Sequence, residues 1–204
     1  MQKIENIIFD LGGVILDIDY NLTRTAFEKL GVTRFDEMYS QATADKLFQR
    51  LETGHISEGD FFTELNKCTG LQLSPLEITA AWNAMLLNYR ENSLTFLETI
   101  QSKYNLYLLS NTNFIHLTAL EKMFNSRKRS TPFNGYFKKA FYSCEIGLRK
   151  PDADCYQWVM DHLSINPATS LFIDDLQNNV EAAQSVGLQT IQLKAGNKIE
   201  DLGL

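Results

Sequence analysis

Polar residues capable of catalysis follow short apolar runs at several widely separated places in the 204-residue sequence. The run Ile7-Ile8-Phe9 is closed by a carboxylate and two glycines, a pattern typical of a buried strand after which the chain must turn. Taken alone, that carboxylate could equally cap the turn or act on a ligand at the end of the strand. The full set of such residues is Asp10, Ser110, Asn111, Lys150, Asp174 and Asp175.

These residue types suit phosphoryl transfer if they are gathered in one place. Carboxylates repel one another unless a cation lies among them, and Mg²⁺ accepts carboxylate ligands while leaving positions for water and substrate phosphate. Lys150 adds a second positive charge, and Ser110 and Asn111 can donate hydrogen bonds to phosphate oxygens. Asp10 could then attack phosphorus in line and form an aspartyl-phosphate that water later cleaves.

Strands that alternate with helices would bring these positions together. Apolar runs predict five strands, near residues 7–9, 106–109, 140–143, 171–173 and 190–193, with helical patterns between most of them. Such alternation favours right-handed crossovers and a parallel sheet, whose carboxyl ends meet at one edge where ligands bind. We therefore predict an α/β fold with a Rossmann-like parallel sheet core.

A helical block interrupts this alternation directly after the first strand. From Leu22 to Tyr89 the apolar spacing predicts helices and no strand, including one helix from Ser40 to near Gly54 and one from Ser57 to Gly70. Ser74-Pro75-Leu76-Glu77 combines a capping box with proline at the first helical position, which predicts a further helix start.

An inserted subdomain accounts for the helical block. We expect a core formed by residues 1–16 and 92–204, and an all-helical cap formed by residues 17–91, placed over the end of the sheet. Lys150-Pro151 is predicted to open a helix of the core, because proline is tolerated in the first turn.

The composition limits the partners of the protein. Its residues are 44% hydrophobic and 22% charged, as in packed globular proteins, and the net charge of −6 gives no electrostatic reason to bind nucleic acid or an anionic membrane. No apolar run reaches the roughly 18 residues of a membrane span, and the N-terminus has no secretory pattern. We expect a cytoplasmic monomer or weak homodimer that binds a small phosphate ester.

The chain resembles the haloacid dehalogenase-like superfamily of hydrolases over nearly its full length. Four motifs in the expected order carry the resemblance, namely Asp10-Leu11-Gly12-Gly13-Val14, Ser110-Asn111, Lys150-Pro151, and Asp174-Asp175 with Asn178 and Asn179 behind. The resemblance implies a Mg²⁺-dependent hydrolase, and the helical block resembles the C1-type cap that closes over the site and selects the substrate.

The resemblance also implies a role for each motif residue. Asp10 would be the nucleophile and a metal ligand, and the carbonyl of Gly12 would supply a second ligand. Asp175 is favoured as a direct metal ligand, while Asp174 would be a further ligand or lie behind it. Lys150 would bridge Asp10 and the phosphate. The residues expected to bind phosphate are Ser110, Asn111, Gly12 and Lys150.

Gly12 departs from the commonest family pattern, in which an aspartate protonates the leaving group and later activates water. Glycine can do neither, and the D-L-G form is similar to the glucose-1-phosphate phosphatase-like branch. The loss argues against a mutase, which depends on that acid and base. We expect a phosphatase for a small phosphorylated metabolite such as a sugar phosphate, and we hypothesise a leaving oxygen that needs little protonation, such as an anomeric one.

Two other functions remain open on the sequence alone. A haloacid dehalogenase-type hydrolase would use Asp10 on carbon without a metal, which would leave Lys150 and the paired acids unexplained. A weakly active regulatory or binding member of the family would carry Gly12 as a sign of decay. In Glu52-Thr53-Gly54-His55, His55 lies either in a substrate-specificity loop or in a plain turn that ends a helix.

Overall fold

The main feature of the fold is a parallel sheet, seen in a computed structural model that describes residues 3–39 and 47–204. The strands within these ranges are β1 (Asn6–Phe9), β2 (Leu16–Ile18), β3 (Leu86–Tyr89), β4 (Asn105–Ser110), β5 (Lys139–Tyr142), β6 (Ser170–Asp174) and β7 (Gln189–Gln192). Five of them form the sheet in the order β5-β4-β1-β6-β7, with every neighbouring pair parallel. The predicted Rossmann-like α/β core is confirmed.

Some helices pack on the two faces of this sheet, and those between β2 and β3 form a separate block. The helices are α1 (Tyr20–Lys29), α2 (Phe35–Tyr39), α3 (Leu47–Glu52), α4 (Glu58–Thr69), α5 (Pro75–Asn83), α6 (Glu91–Ile100), α7 (Phe114–Asn125), α8 (Ser143–Ile146), α9 (Ala153–Leu163) and α10 (Gln177–Ser185). Across the described ranges, none of the helices combines the length and apolar character that crossing a bilayer requires.

Strand β1 lies at the centre of the sheet and is buried on both faces. Ile7 and Phe9 pack in one apolar cluster and Ile8 packs in another, and each of the three is at most 1% exposed. Successive side chains of a strand point to opposite faces, so a strand covered on both sides needs apolar residues throughout. This explains the unbroken apolar run that ends at Asp10.

The helices α1 to α5 lie between β2 and β3 in the chain and have an apolar cluster of their own. Trp82 of α5 is 1% exposed and packs against Phe48 of α3 and Phe27 of α1, with ring centroids 5.0 Å and 6.5 Å apart. Ile115 of α7, which lies outside this block, packs in the same cluster. The helical block therefore rests on the carboxyl side of the sheet while keeping a separate core.

Local signals fix the helix ends in this block. The Ser57 side chain accepts from the backbone N–H of Asp60 at 3.1 Å, and Gly70 ends α4 in the left-handed conformation with φ 71°. The capping box at the start of α5 is present in full. The predicted bounds of α4 and the predicted start of α5 are confirmed.

The expectation that Leu22 to Tyr89 contains no strand is wrong at its end. Helix α5 stops at Asn83, and β3 pairs antiparallel with β2, placing Leu16 opposite Tyr89 and Ile18 opposite Leu86. Met85 and Tyr89 are four residues apart and therefore resemble a helix face. The pairing with β2, where the chain returns to the sheet, overrides that local pattern.

One further boundary differs from the sequence-based expectation, and a second lies partly outside the described residues. Lys150-Pro151 does not open a helix, since α9 begins at Ala153 after Asp152 at its N-cap and the two preceding residues form a turn. The helix expected from Ser40 is seen as α3, from Leu47 onward, and its predicted beginning at 40–46 lies outside the described residues.

Candidate active site

The carboxyl edge of the sheet brings together the polar residues that the sequence places after its strands. Asp10 directly follows β1, Asn111 follows β4, and Asp174 ends β6. The backbone N–H of Asp10 donates to the carbonyl of Ile173 at 2.9 Å, so that the β1–β6 pairing continues to the carboxylate itself. Backbone hydrogen bonds of the sheet thus fix where Asp10 stands.

Lys150 lies between two of these carboxylates. Its Nζ is 2.7 Å from Asp10 Oδ1 and 2.7 Å from Asp174 Oδ2, and its side chain is 1% exposed. Burial raises the pKa of Asp10 to about 7, against the attraction of Lys150. Burial alone would lower the pKa of Lys150, but its two acidic partners raise it above the ordinary value. Lys150 is therefore a charged ammonium at neutral pH.

Asp174 is fully buried and its carboxylate accepts from three donors. Besides Lys150, the side-chain amide of Asn179 donates to both its oxygens at 3.1 and 3.0 Å, and the backbone N–H of Leu176 donates at 2.9 Å. Because these donors come from Lys150 and from the first turn of α10, they approach from different directions and fix the orientation of the carboxylate. Asp174 consequently serves to hold Lys150 in place.

Asp175 is the more open of the two neighbouring acids. It is half-buried, and burial together with the charge of Asp174 raises its pKa. Gly13, with φ +70°, packs directly on it, and a Cβ at that position would lie 2.3 Å from Asp175 Oδ2. The turn after β1 therefore approaches Asp175 as closely as only glycine allows.

The three acids form an oxygen donor set that suits a hard divalent cation. Asp10, Asp174 and Asp175 each offer one ligand atom, and these atoms lie within 4.8 Å of one another. Mg²⁺ is bound by a few carboxylates together with water and phosphate oxygens. The grouping of the carboxylates and the raised pKa values of Asp10 and Asp175 fit such an ion.

Asn111 makes a contact that sequence reasoning did not anticipate. Its side-chain amide donates to the carbonyl of Lys150 at 2.8 Å, and its Oδ1 accepts from the backbone N–H of Lys150 at 2.9 Å. This reciprocal pair holds the main chain of Lys150 against the end of β4. Ser110 is buried and lines the cleft beside Asn111.

The space beside Gly12 is already filled. A Cβ at position 12 would lie 2.9 Å from Cδ1 of Ile18, which comes from β2. A longer side chain could therefore enter only if Ile18 moved. Gly12 and Ile18 therefore fit together because residue 12 has no side chain.

Arg90 secures the same turn from the other side. Its Nη1 donates to the carbonyls of Gly13 and Val14 at 2.8 and 2.9 Å, and its Nε donates to Asp17 Oδ1 at 2.6 Å. The side chain is 15% exposed, so these bonds are largely shielded from water. Arg90 follows β3 and thus links the chain returning from the helical block to the turn after Asp10.

A cleft of about 300 Å³ opens above Asp10. Its wall on the side of the helical block includes Tyr20, Tyr39 and Glu52, together with the apolar Ile18 and Met85. The core side adds residues that extend from the sheet edge, namely Ser110, Asn111, Thr112, Arg149, Lys150 and Asp175. Asp10 and Lys150 therefore lie at the base of a cleft and not on a flat surface.

Within the Glu52–His55 turn, the two ionisable residues have different environments. His55 is exposed and its Nδ1 lies 2.7 Å from the hydroxyl of Thr53, whereas Glu52 faces the cleft. His116 also lines the cleft, but its Nε2 is 3.2 Å from the carbonyl of Trp82, and burial lowers its pKa to about 4. The sequence placed Glu52 only within a candidate specificity loop, and it missed Arg149 and Arg90 because no local pattern distinguishes them from surface charges.

Comparisons with known proteins identify relatives of this chain. The family model described as haloacid dehalogenase-like hydrolase matches residues 4–187. A D-ribitol-5-phosphate phosphatase from Bacteroides thetaiotaomicron is 32% identical over 194 residues, which are 95% of this chain and 93% of that protein.

Solved structures show the same fold. A HAD family enzyme from Bacteroides thetaiotaomicron, in complex with magnesium and inorganic phosphate, has a TM-score of 0.90 at 32% identity and covers 98% of this chain and 100% of its own. A HAD-like family hydrolase from Porphyromonas gingivalis has a TM-score of 0.85 at 30% identity, covering 95% and 92%.

Proposed function

The chain belongs to the haloacid dehalogenase-like hydrolases, and from that premise we propose that it is a Mg²⁺-dependent phosphatase with Asp10 as its nucleophile. The observation that carries the proposal is the buried Lys150 ammonium, 2.7 Å from both Asp10 and Asp174, with Asp175 beside them. In this arrangement the Lys150 ammonium favours the ionised form of Asp10 against the effect of burial, and the ionised carboxylate can attack an anionic phosphorus centre.

Asp10, Asp175 and the carbonyl of Gly12 would hold the magnesium ion, with Asp174 next to them. When bound, Mg²⁺ would supply positive charge that stabilises the equatorial oxygens of the transferring phosphoryl group. Support comes from the magnesium and phosphate found in the 32% identical HAD family enzyme and from the oxygen donor set in this chain.

In the first half of the reaction, an oxygen of Asp10 forms a bond to phosphorus as the bond between phosphorus and the leaving oxygen breaks. Lys150 neutralises charge on Asp10 and on the phosphate, while Ser110 and the backbone of the turn donate to phosphate oxygens. The leaving oxygen takes its proton from solvent, because Gly12 carries no acid. Water then attacks phosphorus, the bond between phosphorus and the Asp10 oxygen breaks, one proton of the water leaves to solvent and the other with the phosphate, and the Asp10 carboxylate is restored.

The substrate class that we propose is a small sugar or polyol phosphate. A curated relative of nearly the same length is named for D-ribitol 5-phosphate, and the walls of the cleft offer hydroxyl and carboxylate groups. Ribitol phosphate has no anomeric carbon, so the expectation of an anomeric leaving oxygen stays a prediction. Comparing hydrolysis of an aldose 1-phosphate with hydrolysis of a polyol phosphate decides it.

We also propose residues 1–16 and 92–204 as the catalytic core and residues 17–91 as the cap. The separate apolar cluster around Trp82 supports this division, as does the β2–β3 pair through which the chain leaves and returns. A monomer or weak homodimer in the cytoplasm, without nucleic acid or membrane partners, stays part of the proposal.

The test is phosphate release from a panel of sugar and polyol phosphates with and without MgCl₂. We expect activity that stops when a chelator is added, and loss of turnover in Asp10→Asn, which keeps the size of the side chain but removes the nucleophile. Retained activity in Asp10→Asn would overturn the assignment of the nucleophile. Absence of phosphate release from the whole panel would contradict the proposed function itself.

The same samples separate the other functions considered. Chloride release from a 2-haloacid in the presence of chelator would favour a dehalogenase. Tight phosphate-ester binding without turnover would favour a binding protein. We expect neither, because Lys150 and the paired acids are all retained in one buried cluster.

A further inference from the structure

Glu52 and Arg149 form an ion pair between the cap and the core. Glu52 ends α3, and Arg149 directly precedes Lys150. Arg149 Nη2 is 3.0 Å from Glu52 Oε2, and the two side chains are only 16% and 14% exposed. Both residues line the cleft that contains Asp10.

The pair leaves hydrogen-bonding capacity unused. The Nε of Arg149 is buried and has no partner within residues 3–39 and 47–204. A guanidinium has five N–H donors, and a buried donor without a partner destabilises the protein. Burial also raises the pKa of Glu52, against the attraction of Arg149. Both side chains line the cleft and keep a small exposed fraction, so a polar ligand there would meet their remaining donors and acceptors.

A purely structural role for the pair is a weaker explanation. The cap already docks on the core at this turn through Gly54, whose φ is +68° and whose Cβ, if present, would lie 2.2 Å from the carbonyl oxygen of Cys144. That close backbone approach fixes the turn against α8 without any charged group. The buried charges therefore need another reason.

We propose that Glu52 and Arg149 form the hydroxyl-binding subsite for the leaving group of a polyol phosphate. This inference rests on the proposed phosphatase function and deepens it. The carboxylate accepts from substrate hydroxyls and the guanidinium donates to them, while Ile18 and Met85 contact the carbon chain. Tyr20 and Tyr39 close the subsite, with ring centroids 6.2 Å apart.

The experiment measures kcat and KM for D-ribitol 5-phosphate and for n-pentyl phosphate, which has the same chain length but no hydroxyls, with MgCl₂. We expect the wild type to prefer ribitol phosphate by about 100-fold or more in kcat/KM, because a site built to bind hydroxyls rejects an analogue that lacks them. Glu52→Gln should reduce kcat/KM for ribitol phosphate by roughly 10- to 100-fold, mainly through KM, and should affect pentyl phosphate much less.

Two further variants sharpen the test. Arg149→Lys keeps the charge but removes the guanidinium fork, and it should lose the same preference. Glu64→Gln is the matched control, because Glu64 is held at 2.8 Å by Arg50, which shares a helix with Glu52, yet both members of that pair are 34–40% exposed. It should leave both substrates unchanged.

The outcomes are distinct. Equal losses of kcat/KM for both substrates in Glu52→Gln would mean that the ion pair only holds the cap on the core, and would overturn the inference. An unchanged substrate preference in Glu52→Gln would also overturn it. So would a loss in the control Glu64→Gln that matches the loss in Glu52→Gln. A wild type that hydrolyses both phosphates equally would also overturn it while leaving the phosphatase function intact. Absence of phosphate release from both substrates would overturn the inference, and release from the wider panel of sugar phosphates would then show whether the proposed function still holds.

Discussion

The cleft has a core end, around Lys150, and a cap end, around Glu52. The two ends differ in how many hydrogen-bond partners their buried charged groups have. At the core end, Asp174 accepts from three donors and Lys150 contacts two carboxylates. At the cap end, Glu52 and Arg149 meet at one contact, and a buried N–H of Arg149 has no partner in the described parts of the chain. Under the proposed function, the core end would be preorganised for phosphate and the cap end would be completed by the leaving group of the substrate.

The largest effect is expected from Lys150→Met, which removes the cation of the preorganised end. Two buried carboxylates would face each other without their shared partner, so kcat should fall by about 10²–10³ and the free energy of unfolding by about 3–5 kcal/mol. Steady-state kinetics and chemical denaturation measure the two quantities. Unchanged kcat would show that the core end does not depend on this network.

Arg90→Gln tests whether the turn after Asp10 belongs to that preorganised end. The carbonyls of Gly13 and Val14 would lose their shared donor, and we expect Mg²⁺ affinity to fall about 10-fold or more. Titration calorimetry with MgCl₂ measures binding without relying on turnover. Arg90→Lys, which keeps the charge, is the control and should show a smaller loss. Equal Mg²⁺ affinity in the wild type, Arg90→Gln and Arg90→Lys would show that Arg90 does not help to position the metal site.

Gly12→Asp tests whether the close contact between Gly12 and Ile18, which lie between the core end and the cap end of the cleft, limits activity. The new Cβ would lie 2.9 Å from Ile18 Cδ1, the flexible end of that side chain, so Ile18 must shift and we expect kcat/KM to fall by about two- to fivefold. Ile18→Val removes Cδ1 and should restore activity in the double variant. Ile18→Val alone is the control. A fully active Gly12→Asp would show that the space is not limiting.

The smallest effect is expected from Ser74→Ala, which weakens the cap far from the cleft. Loss of the bond to the backbone N–H of Glu77, now 3.3 Å, should lower the free energy of unfolding by about 1 kcal/mol and leave kcat unchanged. Urea denaturation and steady-state kinetics measure these effects, and Ser74→Thr should behave as wild type. A kcat change of more than about twofold would mean that cap stability influences the reaction.

The sequence predicts the core end well because its residues follow strands. An apolar run closed by a polar residue has a physical cause in burial on both faces, so the pattern alone is enough to place Asp10 and Asp174 at one edge of the sheet. The side-chain contacts are not predictable in the same way. Nothing in the sequence indicates that Asn111 binds the backbone of Lys150.

The cap end is much less predictable. Glu52 and Arg149 are 97 positions apart and each resembles an ordinary surface charge, so that only the fold brings them together. The strand β3 was missed because Met85 and Tyr89 are four residues apart, which is the spacing of apolar residues on one helix face. Short strands depend on their partners more than on their own sequence, and the partner here is β2.

The antiparallel pairing of β2 and β3 has a consequence for engineering. Ile18 and Leu86 stand opposite each other at the points where the chain leaves and re-enters the core, so the whole helical block is topologically one long hairpin loop. Paired residues of this kind lie about 5 Å apart, a gap that a tight turn can close. The block could accordingly be exchanged for that of another protein, or replaced by a two-residue turn, without moving either splice point.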